Sequence, residues 1–236
     1  MKISLTKAGK RFNRDWIFRN VTYDFTAGNA YAITGPNGSG KSTLLQVLGG
    51  ALMMSEGTLD YEVVNTDQPG QGNATTASPA TPAGAPARNG VRSNPDLLFR
   101  HISIAAPYLE LIEEMSVSEF LHFHIQFKPL LAAITIQEAI KVVGLEKAAH
   151  KQIRFYSSGM KQRVKLAQAI FSDVPCVLLD EPCTNLDAEG IALYQQLIND
   201  YCSRRLVIVS SNDPQEYGFC KEKINILDYK QAKPVA

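Results

Sequence analysis

The chain has 236 residues, 45% of them apolar, and a formal net charge of +1. That length allows a substantial core in one large domain or two small ones, and the near-neutral charge gives no electrostatic reason to expect nucleic acid or an anionic membrane surface as a partner. No apolar run approaches the roughly 20 residues needed to cross a bilayer, and the start, Met1-Lys2-Ile3-Ser4-Leu5-Thr6-Lys7, lacks a hydrophobic signal region, so a cytoplasmic protein is expected.

Three short β-like runs open the chain, Ile3–Leu5, Val21–Phe25 and Ala30–Thr34. The third leads into Gly35-Pro36-Asn37-Gly38-Ser39-Gly40-Lys41-Ser42-Thr43, a full match to G-x-x-x-x-G-K-[ST]. Glycines let a backbone wrap closely around phosphates with its N–H groups turned inward, and the positive end of a following helix favours the same negative charge. The pattern therefore predicts ATP or a related triphosphate as ligand, with Lys41 on its β- and γ-phosphates and Ser42 on Mg²⁺. A helix over Lys41 to Leu52 is expected from Leu44, Leu45, Leu48 and Leu52, followed by a strand over Gly57–Tyr61. From Asn65 to Pro95 the composition shifts to Ala, Thr, Pro, Gly, Ser and Asn, which cannot bury enough apolar surface to offset the entropy of ordering. A flexible low-complexity insertion is expected over 65–95.

Order resumes with a strand over Ile102–Ala105. Ser116-Val117-Ser118-Glu119 and Thr135-Ile136-Gln137-Glu138 each fit a capping box, so 107–157 reads as a helical subdomain. His122 and His124 are two apart and fall on different faces of a helix, which disfavours a metal site there. A helix over Gly159–Phe171, a buried strand Cys176–Asp180, a helix Ala188–Cys202 and a buried strand Leu206–Ser211 follow. Alternation of this kind implies a parallel sheet covered on both faces. The four cysteines, Cys176, Cys183, Cys202 and Cys220, show no C-x-x-C spacing and read as reduced thiols. The strand 176–180 ends in Asp180-Glu181-Pro182. Asp180 can thereby join Ser42 at Mg²⁺, and Glu181 can act as general base or water positioner in γ-phosphate hydrolysis.

The order of these motifs resembles the ATP-binding cassette (ABC) family, and the likeness runs from about Lys2 to Tyr229 with only 65–95 outside it. Tyr156-Ser157-Ser158-Gly159-Met160-Lys161-Gln162-Arg163 is similar to the family signature, usually L-S-G-G-Q; Ser158 replaces a glycine and Met160 a glutamine. The resemblance implies that Ser157, Ser158 and Gly159, at a helix N-terminus, contact the γ-phosphate held by a second copy, so that two ATPase subunits pair head to tail. It implies stacking of adenine on Phe12, with Trp16 as the fallback, and a D-loop in Thr184-Asn185-Leu186-Asp187, where Asp187 couples the two sites. Two positions depart from the family pattern. Asn212 stands where a switch histidine is usual, and Pro107 where a glutamine is usual, so slow hydrolysis is expected.

The fold implied for residues 1–236 is α/β: one P-loop NTPase core with a mostly parallel sheet, an N-terminal antiparallel β region and the helical subdomain. The function implied is that of the ATPase subunit of an export-type transporter. It would lie on the cytoplasmic face of the membrane against a separate transmembrane permease subunit, its dimer closing on ATP. Two alternatives stay open: a soluble cassette ATPase that remodels a cytosolic partner, and a nucleotide-gated module that scarcely hydrolyses.

Overall fold

The computed structural model describes residues 1–63, 91–92 and 95–230. Most of the interval 65–95, expected as an insertion, lies outside the described residues. At its end, Val91–Arg92 is a short strand that pairs antiparallel with 62–63.

Two sheets organise the described residues. The first is antiparallel, built from β1 (Lys2–Phe12), β2 (Asp15–Thr26), β4 (Glu56–Val63) and β5 (Val91–Arg92) in the order β2-β1-β4-β5. β1 and β2, 11 and 12 residues long, far outrun the apolar runs Ile3–Leu5 and Val21–Phe25. Cross-strand pairing carries them outward through exposed polar positions, with register shifts between Leu5 and Arg11. Hydrogen bonds to a neighbouring strand leave no period in a sequence once both faces approach solvent.

The second sheet is fully parallel, in the order β6-β7-β8-β3-β9, where β3 is Ala30–Thr34, β6 Ile102–Ala105, β7 Cys176–Asp180, β8 Leu206–Ser210 and β9 Glu222–Asn225. β7 and β8 are buried at every position, which is why both read as continuous apolar runs. Their side chains nevertheless divide between two cores with period two. Val177, Leu179, Val207 and Val209 pack against α4 (Ser158–Phe171) and α5 (Ala188–Tyr201), whereas Cys176, Leu178, Leu206 and Ile208 pack against α1 (Lys41–Leu48) and the antiparallel sheet. All four cysteines are free and buried.

α1 is shorter than the leucine spacing suggested. It stops at Leu48 because Gly49 and Gly50 follow, Gly50 at φ +71, a left-handed turn that suits a residue without a Cβ. The stretch 107–157 also contains less regular helix than expected: α2 (Val117–His124), α3 (Ile136–Val142) and 3₁₀ turns at Glu146–Ala148 and Ile153–Phe155. Both capping boxes form, Ser116 with Glu119 and Thr135 with Glu138. On α2 His122 is exposed, while His124 is buried with Nε2 at 2.8 Å from the Ser172 hydroxyl. Burial pushes the His124 imidazole down to about 4, so it is neutral in the core.

Candidate functional site

β3 lies beside β8, and β8 lies beside β7. The loop that leaves β3 and the carboxylate that ends β7 therefore flank the carboxyl end of β8, the edge where open parallel sheets bind ligands. The loop wraps back on itself: Ser39 N–H donates to Pro36 O at 3.1 Å, and the Lys41 ammonium donates to the same carbonyl at 3.3 Å. Gly40 starts α1 at φ +107, and a Cβ there would sit 2.3 Å from Ile17 Cγ2, so the tight wrap admits only glycine. No side chain caps α1, which leaves its first N–H groups for an anion.

Lys41, Ser42 and Asp180 converge. Lys41 is 4% exposed and Asp180 2%. Burial pushes the Asp180 carboxyl above the usual carboxylate range, opposed by the Ser210 and Ser42 hydroxyls beside it and by the Lys41 charge. Asp180 Oδ1, Ser210 Oγ and Ser39 Oγ, all buried, each lack a well-formed hydrogen bond. Buried polar atoms are costly to leave unpaired, and two of these residues, Asp180 and Ser210, stand side by side at the ends of β7 and β8. An oxygen-only donor set of one hydroxyl and one carboxylate with a bare oxygen suits Mg²⁺, which characteristically takes few protein ligands and completes its shell with phosphates and water. The residues fit the ion.

Glu181 follows at φ 43, its N–H bonded to Ser210 O at 2.9 Å. A left-handed glutamate is strained, and such strain concentrates at functional positions. Asn212, beyond β8, is exposed and its amide donates to the Asn37 carbonyl oxygen at 3.2 Å, so it reaches the phosphate loop itself. Pro107 is exposed and offers only its carbonyl, which accepts from Lys165 at 3.0 Å.

The signature-like residues lie at the start of α4. Ser157 is the N-cap, accepting from Met160 N–H at 3.2 Å, and Ser158 is exposed. A Cβ at Gly159 would meet the Asn185 carbonyl at 3.0 Å. The loop after β7 is tied to the same helix: Gln162 donates to Pro182 O at 2.7 Å, and Arg163 lies 3.9 Å from Asp187, which caps α5 through Gly190 N–H. Among the described residues no hydrogen bond or ion pair joins 157–159 to 35–43. Phe12 sits at the tip of β1, 47% exposed, with the Lys10 ammonium 4.9 Å from its ring centre. The ring of Trp16 is approached by two guanidinium groups, Arg19 at 4.5 Å and Arg11 at 5.6 Å, which leaves Phe12 the more available of the two for stacking.

Sequence reasoning missed four groups. Ser210 enters because it pairs with Asp180 across β7 and β8. Glu216 is buried and accepts from Cys183 N–H at 2.7 Å, fixing the loop after Glu181. Tyr108 and Gln46 meet beside Asp180; burial and the Asp180 charge push the Tyr108 phenol up to about 12. The positions of Ser210 and Tyr108 were recoverable only from strand register, which single-chain periodicity does not encode.

Residues 18–184 match the family model described as ABC transporter. The "Cytochrome c biogenesis ATP-binding export protein CcmA" of Rhizobium johnstonii is 29% identical over 212 residues, covering 86% of this chain and 85% of that protein. Two solved structures share the fold. An ATP-binding subunit of an ABC transporter superposes with a TM-score of 0.76 at 19% identity, over 96% of this chain and 86% of the other. A dimeric ATP-binding cassette in a post-hydrolysis state, bound to ADP and Pi, gives 0.72 at 22% identity, over 95% and 94%.

Proposed function

Because the chain belongs to the ABC transporter family, as an ATP-binding and ATP-hydrolysing cassette, we propose that it drives export through a separate membrane subunit by ATP-dependent closure of a head-to-tail dimer. The convergence of Lys41, Ser42 and Asp180 around unpaired buried oxygens carries this reading. Lys41 and the N–H groups of the loop and α1 hold the triphosphate and neutralise its charge. Asp180 and Ser42 hold Mg²⁺, which supplies positive charge to the phosphate oxygens when bound. Glu181 orients the attacking water and accepts its proton. Asn212 can donate an amide hydrogen to a phosphate oxygen but cannot carry a positive charge at neutral pH, and Pro107 contributes no side-chain donor. Hydrolysis is therefore slow for this family.

Ser157, Ser158 and Gly159 are exposed or nearly so, and their helix N-terminus has room for an anion presented by a second copy. Asp187 joins this edge through Arg163. The dimeric cassette of similar fold supports that pairing, and the export name of the R. johnstonii relative supports the direction. No helix among the described residues is long and apolar enough to cross a membrane. A separate permease on the membrane, with this chain at its cytoplasmic face, completes the proposal, and the stretch 107–130, rich in Leu, Ile and Phe, is the surface that receives it.

Two measurements test the proposal. Phosphate release by the purified protein should require ATP and Mg²⁺ and should disappear in Lys41→Ala. Co-purification from membranes in ATP should recover an integral membrane protein with this chain; a protein that hydrolyses ATP yet recovers none would favour a soluble remodelling cassette.

A further inference from the structure

Glu181-Pro182-Cys183-Thr184 is a tight turn at the end of β7, closed by Thr184 N–H on Glu181 O at 3.1 Å. Such a turn uses the N–H of its fourth residue and leaves that of its third without a partner inside the turn; its second residue, a proline, has none to give. Cys183 is buried, so its N–H needs an acceptor from elsewhere. The Glu216 carboxylate supplies it at 2.7 Å. Glu216 is 5% exposed and lies on α6 (Pro214–Tyr217), the single turn of helix that Asp213 caps just after Asn212. Its backbone is held on both sides. The N–H donates to Asp213 O at 3.0 Å, and the carbonyl accepts from the buried Tyr194 hydroxyl of α5 at 2.8 Å. Burial pushes the Glu216 carboxyl above the usual carboxylate range; the Ser211 hydroxyl and the Cys183 N–H oppose that, and the Asp213 and Glu181 charges add to it. Burying a carboxylate costs more than burying a neutral acceptor for one N–H, and what the charge adds is a shorter and stronger bond.

We propose that Glu216 is a positioning residue for hydrolysis: its bond to Cys183 N–H holds the turn that begins at Glu181, and through that turn keeps the Glu181 carboxylate in place for the attacking water. This rests on reading Glu181 as the group that handles that water. Without the bond, the Cys183 N–H is unpaired in the core, and the turn relaxes to find it a partner, carrying the strained residue at its head along. Nucleotide binding is spared, because Lys41 and Ser42 are carried by α1 and Asp180 by β7.

The test compares Glu216→Ala and Glu216→Gln with the parent in steady-state hydrolysis of ATP with Mg²⁺, and repeats Glu216→Ala in a Glu181→Gln background by single turnover. Glu216→Ala should lower kcat about tenfold, since small displacements of a reacting group cost rate steeply, and should leave KM for ATP within about twofold. Glu216→Gln, whose amide oxygen still accepts from Cys183 N–H, should recover most of that loss. Once Glu181 is replaced, Glu216 has nothing left to position, so adding Glu216→Ala should change the residual rate by less than about twofold. An unchanged kcat in Glu216→Ala, a further loss of about tenfold in the Glu181→Gln background, a loss of ATP affinity in place of kcat, or equal losses in the Ala and Gln variants would each overturn the assignment and leave the reading of Glu181 standing. Should Glu216→Ala fail to fold, Glu216→Asp, whose carboxylate is one methylene short of Cys183, takes its place under the same criteria. A Glu181→Gln protein as fast as its parent would remove the reading of Glu181 and this proposal together.

Discussion

The phosphate loop with its carboxylate and the start of α4 lie at one edge of the same parallel sheet, yet they are finished in opposite ways. In the first, Ser39, Lys41 and Asp180 are buried, and two of them keep oxygens that nothing in the fold satisfies. In the second, Ser157 and Ser158 are exposed, and the Ser157 hydroxyl is already used on its own helix. Unpaired buried polar atoms make the first region costly until a ligand arrives, whereas the second is stable with nothing bound. The contrast separates a preorganised pocket from an open surface, the division of labour that the proposed head-to-tail pairing needs.

That contrast is broken or sharpened by substitution. Lys41→Ala should lower phosphate release on the order of 10³-fold and weaken ATP binding in the isolated monomer; a minor effect on both would mean that the buried pocket is not where the nucleotide sits. Gly159→Asp places an anion and a Cβ at the start of α4, against the Asn185 carbonyl. Hydrolysis should fall about 10²-fold and ATP-dependent dimers should vanish from gel filtration, while monomer affinity for ATP is kept. Loss of monomer affinity would erase the distinction between the two regions. Asn212→His supplies a ring that can carry charge beside Asn37, and kcat should rise about tenfold; an unchanged kcat would show that Asn212 does not limit the rate. Ser157→Ala removes the N-cap of α4 and should cost about 1 kcal/mol, read as a fall of roughly 2–4 °C in unfolding temperature.

The parts of the molecule that could be read from the chain are those whose physics is local. The Gly35–Thr43 loop, the capping boxes at Ser116 and Thr135 and the apolar run ending in Asp180 each state their geometry within a few residues. Extents fared worse where a neighbour decides them: β1 and β2 outrun their apolar centres because each strand is held by the other, and α1 ends at Leu48 because the two glycines that follow outweigh Leu52. The candidate site divides along the same line. Lys41, Ser42 and Asp180 were visible as motifs, but Ser210 joins them only through the pairing of β7 and β8, and nothing in its local spacing marks it. Pro107 drew notice as a departure from a pattern, while the tyrosine beside it did not, since a tyrosine in a loop has many ordinary uses.

The left-handed backbone of Glu181 bears on how this chain can be improved. Glycine tolerates that conformation freely, so Glu181→Gly should relieve strain and raise the free energy of unfolding by about 1 kcal/mol. A survey of variants ranked by heat resistance alone would thus favour replacing the carboxylate to which we assign the attacking water. Libraries for this protein therefore call for a paired activity screen.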